Sequence, residues 1–181
     1  MNNQYIRKCI EIFEDKYEYE LTEIKRKEYS EYFNFEMSEE YEYILENYAG
    51  KYIRDNFGFY SLEKTPLTDR EGENKVSYFF PLEGKENIFS IYETYKSQLP
   101  LDFIPIGELD GGNLLCVNKK NKSINIWIHD ALNKNTYLVS ENFESFIMSF
   151  KELVINRDIN LGVVETRFSP QFLEAMRNYK K

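Results

Sequence analysis

Histidine and cysteine are nearly missing from this chain, which has one His and two Cys in 181 residues. Cys9 and Cys116 lie far apart, each in an apolar context, so they build no disulfide framework; a zinc site needs closely spaced Cys and His. Both read as small buried hydrophobes in a reducing compartment. His129 stands beside Asp130, but one histidine falls short of the several His and Asp ligands of a metal phosphohydrolase, so no metal ligand is assigned. The G-x-x-x-x-G-K-S/T phosphate loop, G-x-G-x-x-G and the G-x-S-x-G elbow are also absent. Gly111-Gly112 sits between two strand-like runs, not between a strand and a helix, and reads as turn chemistry. Carboxylates are so abundant that pairs of them say nothing about acid/base catalysis. The expectation is a non-enzymatic protein with no catalytic residue and no cofactor. No apolar run approaches the roughly 20 residues of a membrane span, and the N-terminus lacks the pattern of a secretory signal. A soluble, cytoplasmic protein is expected, with no membrane insertion.

What is present is a globular composition, 42% hydrophobic and 30% charged. A chain of this length buries about 70% of the surface it exposes when unfolded. Aromatic residues reach 17%, with 15 Tyr, 14 Phe and one Trp. The net charge of −8 is unevenly spread: from Glu11 to Glu46 there are 13 acids against 4 bases, a net of −9. That field repels nucleic acid and steers a basic protein towards this end of the molecule. The same stretch holds Tyr17, Tyr19, Tyr29, Tyr32, Tyr41 and Tyr43. Two readings stay open here. One is a solvated helix surface; the other is an interface, favoured by the enrichment of tyrosine at hot spots.

Hydrophobic spacing predicts a long first helix, with Ile6, Cys9, Ile10 and Phe13 on one face and Tyr17, Leu21 and Ile24 extending it. A second helix starts after Ser38, a good N-cap, with Glu39 and Glu40 in its first turn. Tyr41, Ile44, Leu45 and Tyr48 form its buried stripe, and Gly50 suits a left-handed cap. Phe57-Gly58-Phe59 and Thr65 to Asn74 read as loop. Lys75 to Phe80 reads as a strand, and Ile88, Ile91, Tyr92 and Tyr95 mark a short helix. Four apolar runs follow: Phe103 to Glu108, Leu114 to Asn118, Ser123 to Ile128 and Thr136 to Val139. Their connectors are too brief for parallel crossovers, so antiparallel hairpins are expected. A helix capped by Ser140 then places Phe143, Phe146, Ile147 and Phe150 on one face, and Ser169-Pro170 opens a last helix. The expected class is α+β, a single antiparallel-rich meander with helices packed on one sheet face. No repeat or linker argues for a second domain.

The stretch from Tyr78 to Phe146 resembles the SUKH superfamily, which includes a fungal cell-wall-synthesis regulator and many bacterial toxin-immunity proteins. The resemblance rests on an ordered series: Tyr78-Phe79-Phe80, Leu99-Pro100-Leu101-Asp102-Phe103-Ile104-Pro105-Ile106-Gly107, Asp110-Gly111-Gly112-Asn113, Ile126-Trp127-Ile128-His129-Asp130 and Val139 to Phe146. Upstream, Met37 to Leu45 looks like the family's helix, while Tyr48-Ala49-Gly50 departs from the usual Asn-Gly-Gly type turn. The matching core runs over about residues 37–153 of one 1–181 domain, between an acidic helical extension (1–36) and a C-terminal helix (about 169–180).

Each motif residue has a plain structural reading. Pro100 and Pro105 set the entry of a strand and limit its pairing. Asp110 to Asn113 makes a turn, Trp127 buries a ring with one N–H to satisfy, His129 and Asp130 hydrogen-bond at a strand end, and Phe143 and Phe146 are core. The motif thus marks the fold, and binding falls to the acidic, aromatic remainder. The resemblance implies an immunity protein that binds and neutralises a cognate toxin, such as a nuclease, with Tyr17, Glu18, Tyr19, Glu20, Glu39, Glu40 and Tyr43 meeting its basic surface. A regulatory or scaffolding module for cell-wall-synthesis or secretion machinery is the alternative, and a small-molecule pocket is a third class.

Overall fold

The computed structural model describes residues 1–16, 19–69 and 72–153. Three helices come first: α1 (Asn3–Ile12), α2 (Glu23–Phe33) and α3 (Glu39–Asn47). Each has a side-chain N-cap, from Asn2, Thr22 and Ser38 respectively, whose oxygen accepts a backbone N–H of the first turn. The long first helix expected from hydrophobic spacing is corrected, because α1 ends at Ile12. Phe13 is extended, bridges to Ile53, and its N–H still closes on the Cys9 carbonyl. The buried face is Tyr5, Cys9 and Ile12, while Ile10 and Ile24 are exposed. Periodicity misplaced this face because Tyr5, an amphipathic residue, carries the packing that Ile10 was expected to carry.

The α3 reading holds in detail. Tyr41, Ile44, Leu45 and Tyr48 are buried, Ser38 caps, and Gly50 has φ 73°. After α3, β1 (Phe57–Phe59) and β2 (Tyr78–Phe79) precede α4 (Ile88–Tyr95). The meander follows as β3 (Phe103–Leu109), β4 (Asn113–Asn118), β5 (Ile124–Trp127) and β6 (Thr136–Ser140), then α5 (Phe143–Met148) and β7 (Phe150–Glu152). The main sheet has the order β2-β3-β4-β5-β6, antiparallel throughout. An α+β fold with an antiparallel meander is what the short connectors required.

Three expectations are corrected. Phe57-Gly58-Phe59 is a strand, because β1 pairs with β7, a partner distant in sequence. The strand expected over Lys75 to Phe80 shrinks to Tyr78–Phe79. The cap of α5 is Asn142, whose side chain accepts from the Ser145 N–H, and Ser140 ends β6 instead. The helix expected at Ser169-Pro170 lies outside the described residues.

Register places Leu115, Val117 and Ile126 on one face of the sheet and Leu114, Cys116 and Trp127 on the other. Both faces are buried. Phe79, next to the first face, packs on Phe13 of the α1 end and on Phe143 and Phe146 of α5. Trp127, on the second, meets Tyr95 of α4 at 5.6 Å between ring centroids. Helices therefore cover both faces, which corrects the one-face expectation. The Trp127 indole N–H, expected to find a partner, has none among the described residues.

The edges of the sheet are closed. Along β6, the Leu62 and Glu63 N–H groups donate to the Val139 and Leu138 carbonyls. The Glu63 carboxylate, held by Lys134 at 2.9 Å, accepts the Leu138 N–H. At the other edge the Gly50 and Ile53 N–H groups donate to the Phe79 and Ser77 carbonyls. An edge so occupied offers no ladder to an added strand.

The motif residues act as structural parts. The Asp102 carboxylate takes Lys120 Nζ at 2.7 Å and its carbonyl takes the Lys119 N–H, tying the start of β3 to the turn after β4. Beyond Pro105 the pairing with β4 shifts register at a bulge, where the ring has removed a ladder donor. Gly111 and Gly112 both have φ 75°, the left-handed region that glycine enters freely. The Asn113 amide donates to the Asp110 carbonyl at 2.7 Å, and its oxygen accepts the His129 N–H. The His129 ring lies 3.3 Å from that oxygen and 3.0 Å from an Asp130 carboxylate oxygen.

Candidate protein-binding surface

The acidic residues of the first 46 positions are carried mainly by α2, α3 and the segments joining them. In α3 the carboxylates of Glu39, Glu40 and Glu42 stand in the first turn, where the helix dipole favours negative charge. Some are neutralised. Arg26 of α2 bridges to Glu42 at 3.1 Å and to Glu46 at 3.2 Å, and Lys25 holds Glu28 and Glu83 at 3.1 and 2.9 Å. Among the described residues the side chains of Glu14, Asp15, Glu20, Glu23, Glu36 and Glu40 make no ion pair.

The residues singled out from sequence are spread along α3. Glu39 is exposed and meets the N-terminal ammonium group at 3.3 Å. Glu40 is half-buried, and its carbonyl accepts the Tyr5 hydroxyl at 2.9 Å. Tyr43 is half-buried, edge-on to both Tyr5 and Tyr48; burial raises its phenol above the ordinary value. Tyr19 packs beside the far end of the helix, its N–H on the Glu46 carbonyl at 2.8 Å, and Glu20 next to it is exposed. At 1.5 Å rise per residue, Glu39 and Glu46 stand about 10 Å apart along the axis. Glu39, Tyr43 and Asn47 share one stripe at helical spacing. The structure thus sets Glu39, Glu40 and Tyr43 on α3 itself and Tyr19 and Glu20 beside its C-terminal end, while Tyr17 and Glu18 lie outside the described residues.

The tyrosines of this stretch divide by burial. Tyr29 and Tyr41 are fully buried, and desolvation raises both phenols well above the ordinary range. They belong to the core. Tyr32 is exposed and its hydroxyl donates to Glu93; burial, then that bond, pushes it up to about 12. Tyrosine count alone therefore overstated the aromatic surface.

A cleft that the sequence reading missed opens at the other side of the α3 N-terminus. Its floor is Tyr41, Ile106, Val117 and Phe143, its volume is about 170 Å3, and Glu40, Glu144 and Lys122 stand at its rim. No local motif signals it, since its walls come from α3, β3, β4 and α5. Both cysteines are buried and free, and burial pushes the Cys9 thiol up to about 12, so neither is a reactive thiolate.

The helix-flanked antiparallel sheet and its turn residues agree with a known sequence pattern: the profile of the SMI1 / KNR4 family (SUKH-1) matches residues 12–149. The chain belongs to this family. The match takes in α2 as well as α3 and the whole meander. Within the curated proteins, the chain is similar to the SPbeta prophage-derived uncharacterized protein YokK of Bacillus subtilis (strain 168). The two are 25% identical over 136 residues, which cover 68% of this chain and 71% of that protein. No helix among the described residues is long and apolar enough to cross a membrane.

Proposed function

We propose that this SUKH-1 protein is an immunity protein, which binds a cognate bacterial toxin and blocks it by protein–protein contact without catalysis. The observation that carries the reading is the density of carboxylates on and around α3, of which Glu20, Glu36 and Glu40 make no ion pair among the described residues, displayed on a fold whose family includes toxin-immunity proteins. Such a surface complements a basic cleft, as found in a nuclease that must hold phosphates, and speeds encounter with it. Tyr43 and Tyr19 provide aromatic area beside the carboxylates, the composition of an interface centre with a charged surround. A relative of prophage origin suits a protein of conflict between cells better than one of housekeeping.

The test is a binding and rescue experiment with the product of each gene neighbouring this one, a toxic C-terminal domain among them being expected. A stoichiometric, salt-sensitive complex that abolishes the domain's toxicity is expected. No complex with that domain, and several weak housekeeping partners recovered instead, would replace immunity by a scaffolding role. Within the complex, Glu39→Lys with Glu40→Lys slows association more than it speeds dissociation, because steering acts on encounter. Unchanged association rates at low salt would refute the steering argument.

A further inference from the structure

The cleft at the α3 N-terminus is walled by four elements and has a floor of Tyr41, Ile106, Val117 and Phe143, all nearly inaccessible to solvent outside it. Its volume of about 170 Å3 is below the roughly 300–1,000 Å3 of pockets that enclose a small-molecule ligand. It matches a single large side chain. The rim is charged: Glu40 and Glu144 each occupy the second position of their helix, α3 and α5. Neither carboxylate makes an ion pair among the described residues; Glu144 accepts only the Asn2 side-chain amide, at 2.9 Å. Lys122, with φ 62°, is the one cation among the described residues that line the cleft. Both edges of the main sheet are occupied by the chain's own backbone, which closes that sheet to strand addition.

We propose that this cleft is the anchor site for a basic-surfaced partner protein, which inserts one bulky apolar side chain on to Val117 and Phe143 and sets flanking Lys or Arg residues against Glu40 and Glu144. The inference deepens the immunity reading and rests on it for the identity of the partner. The arrangement is that of a hot spot: an apolar anchor desolvated in a pocket, ringed by charges that exclude water and fix the approach. Glu40 joins the cleft to the acidic stripe of α3, so the steering surface and the anchor are continuous.

The test measures binding of the full chain to the toxic domain sought among the products of neighbouring genes, by calorimetry and by association kinetics. Val117→Phe fills the cleft from its floor. It is expected to weaken binding at least about 30-fold, the hot-spot scale. Glu40→Lys with Glu144→Lys is expected to slow association, while Asp55→Lys, exposed and outside both the cleft and the acidic stretch, leaves affinity within about twofold. A folded Val117→Phe that binds like the parent overturns the anchor site and leaves the immunity reading standing. Absence of any complex with the parent chain instead overturns the immunity reading. The cleft is then judged separately, as it also is if Val117→Phe does not fold, by titrating the parent chain with N-acetyl-tryptophanamide and following backbone amide resonances. Shifts centred on Val117, Lys122 and Phe143 support an anchor pocket; shifts elsewhere, or none, overturn it.

Discussion

Replacing Tyr41 or Tyr29 by phenylalanine is expected to stabilise the protein, against the usual direction of a core substitution. Both rings are buried, their centroids are 6.5 Å apart, and neither hydroxyl has a hydrogen-bond partner among the described residues. A buried polar group left unpaired carries its desolvation cost of about 1–3 kcal/mol, and Phe keeps the ring while removing it. For a chain of this size a gain of 1 kcal/mol raises Tm by about 2–4 °C. The two changes are neighbours, so the double variant need not equal their sum. Tyr5→Phe is the matched control. Tyr5 is equally buried, but its hydroxyl donates to the Glu40 carbonyl at 2.9 Å, and losing that bond costs about 0.5–1.5 kcal/mol. One substitution chemistry thus yields opposite signs at different sites. Urea unfolding followed by far-ultraviolet circular dichroism reads both, with an unchanged m-value required for the comparison. A loss of more than about 1 kcal/mol in Tyr41→Phe would refute the reasoning, since it would mean that the hydroxyl is paired.

Two further outcomes test the fold. Gly107→Ala destabilises, by about 1–3 kcal/mol on the scale of overpacking, because a Cβ there stands 2.9 Å from the Tyr78 carbonyl oxygen of the paired strand; a neutral chemical-denaturation midpoint would contradict that close approach. Stability also falls in alkali. Cys9 is raised from 9.0 to about 12 by burial, and the phenols of Tyr5, Tyr29 and Tyr41 lie above their ordinary value of 10.0. The folded state therefore keeps protons that the unfolded chain gives up. Their stabilisation is complete below about pH 9 and is lost as pH rises towards the folded values. Thermal melts between pH 8 and pH 11 are expected to show this decline, and a flat Tm across that range would place these groups in water.

How far sequence reached is clearest at particular elements. Ser38, followed by Glu39 and Glu40 and then Tyr41, Ile44, Leu45 and Tyr48, determined α3 with its cap, because capping and helical periodicity are local effects. Asp110 to Asn113 determined the turn between β3 and β4, because only a left-handed backbone joins strands so closely and two glycines adopt it. The apolar runs with brief connectors determined an antiparallel meander, and the ordered motif from Leu99 to Phe146 pointed to the SUKH family.

What only the tertiary structure decided was pairing across distance. Phe57 to Phe59 became a strand through β7, some ninety residues away, and no local signal marks such a partner. Tyr29 and Tyr41 were drawn into the core while Ile10 and Ile24 stayed outside; the amphipathic tyrosine ring fits either place, and packing chooses. Glu20 was set beside the C-terminal end of the helix that carries Glu39, and the cleft beside Glu40 was assembled from four elements. Residue types and local spacing specify helices, turns and charge. The shape of a surface that another protein would grip depends on which of those pieces the folded core brings side by side.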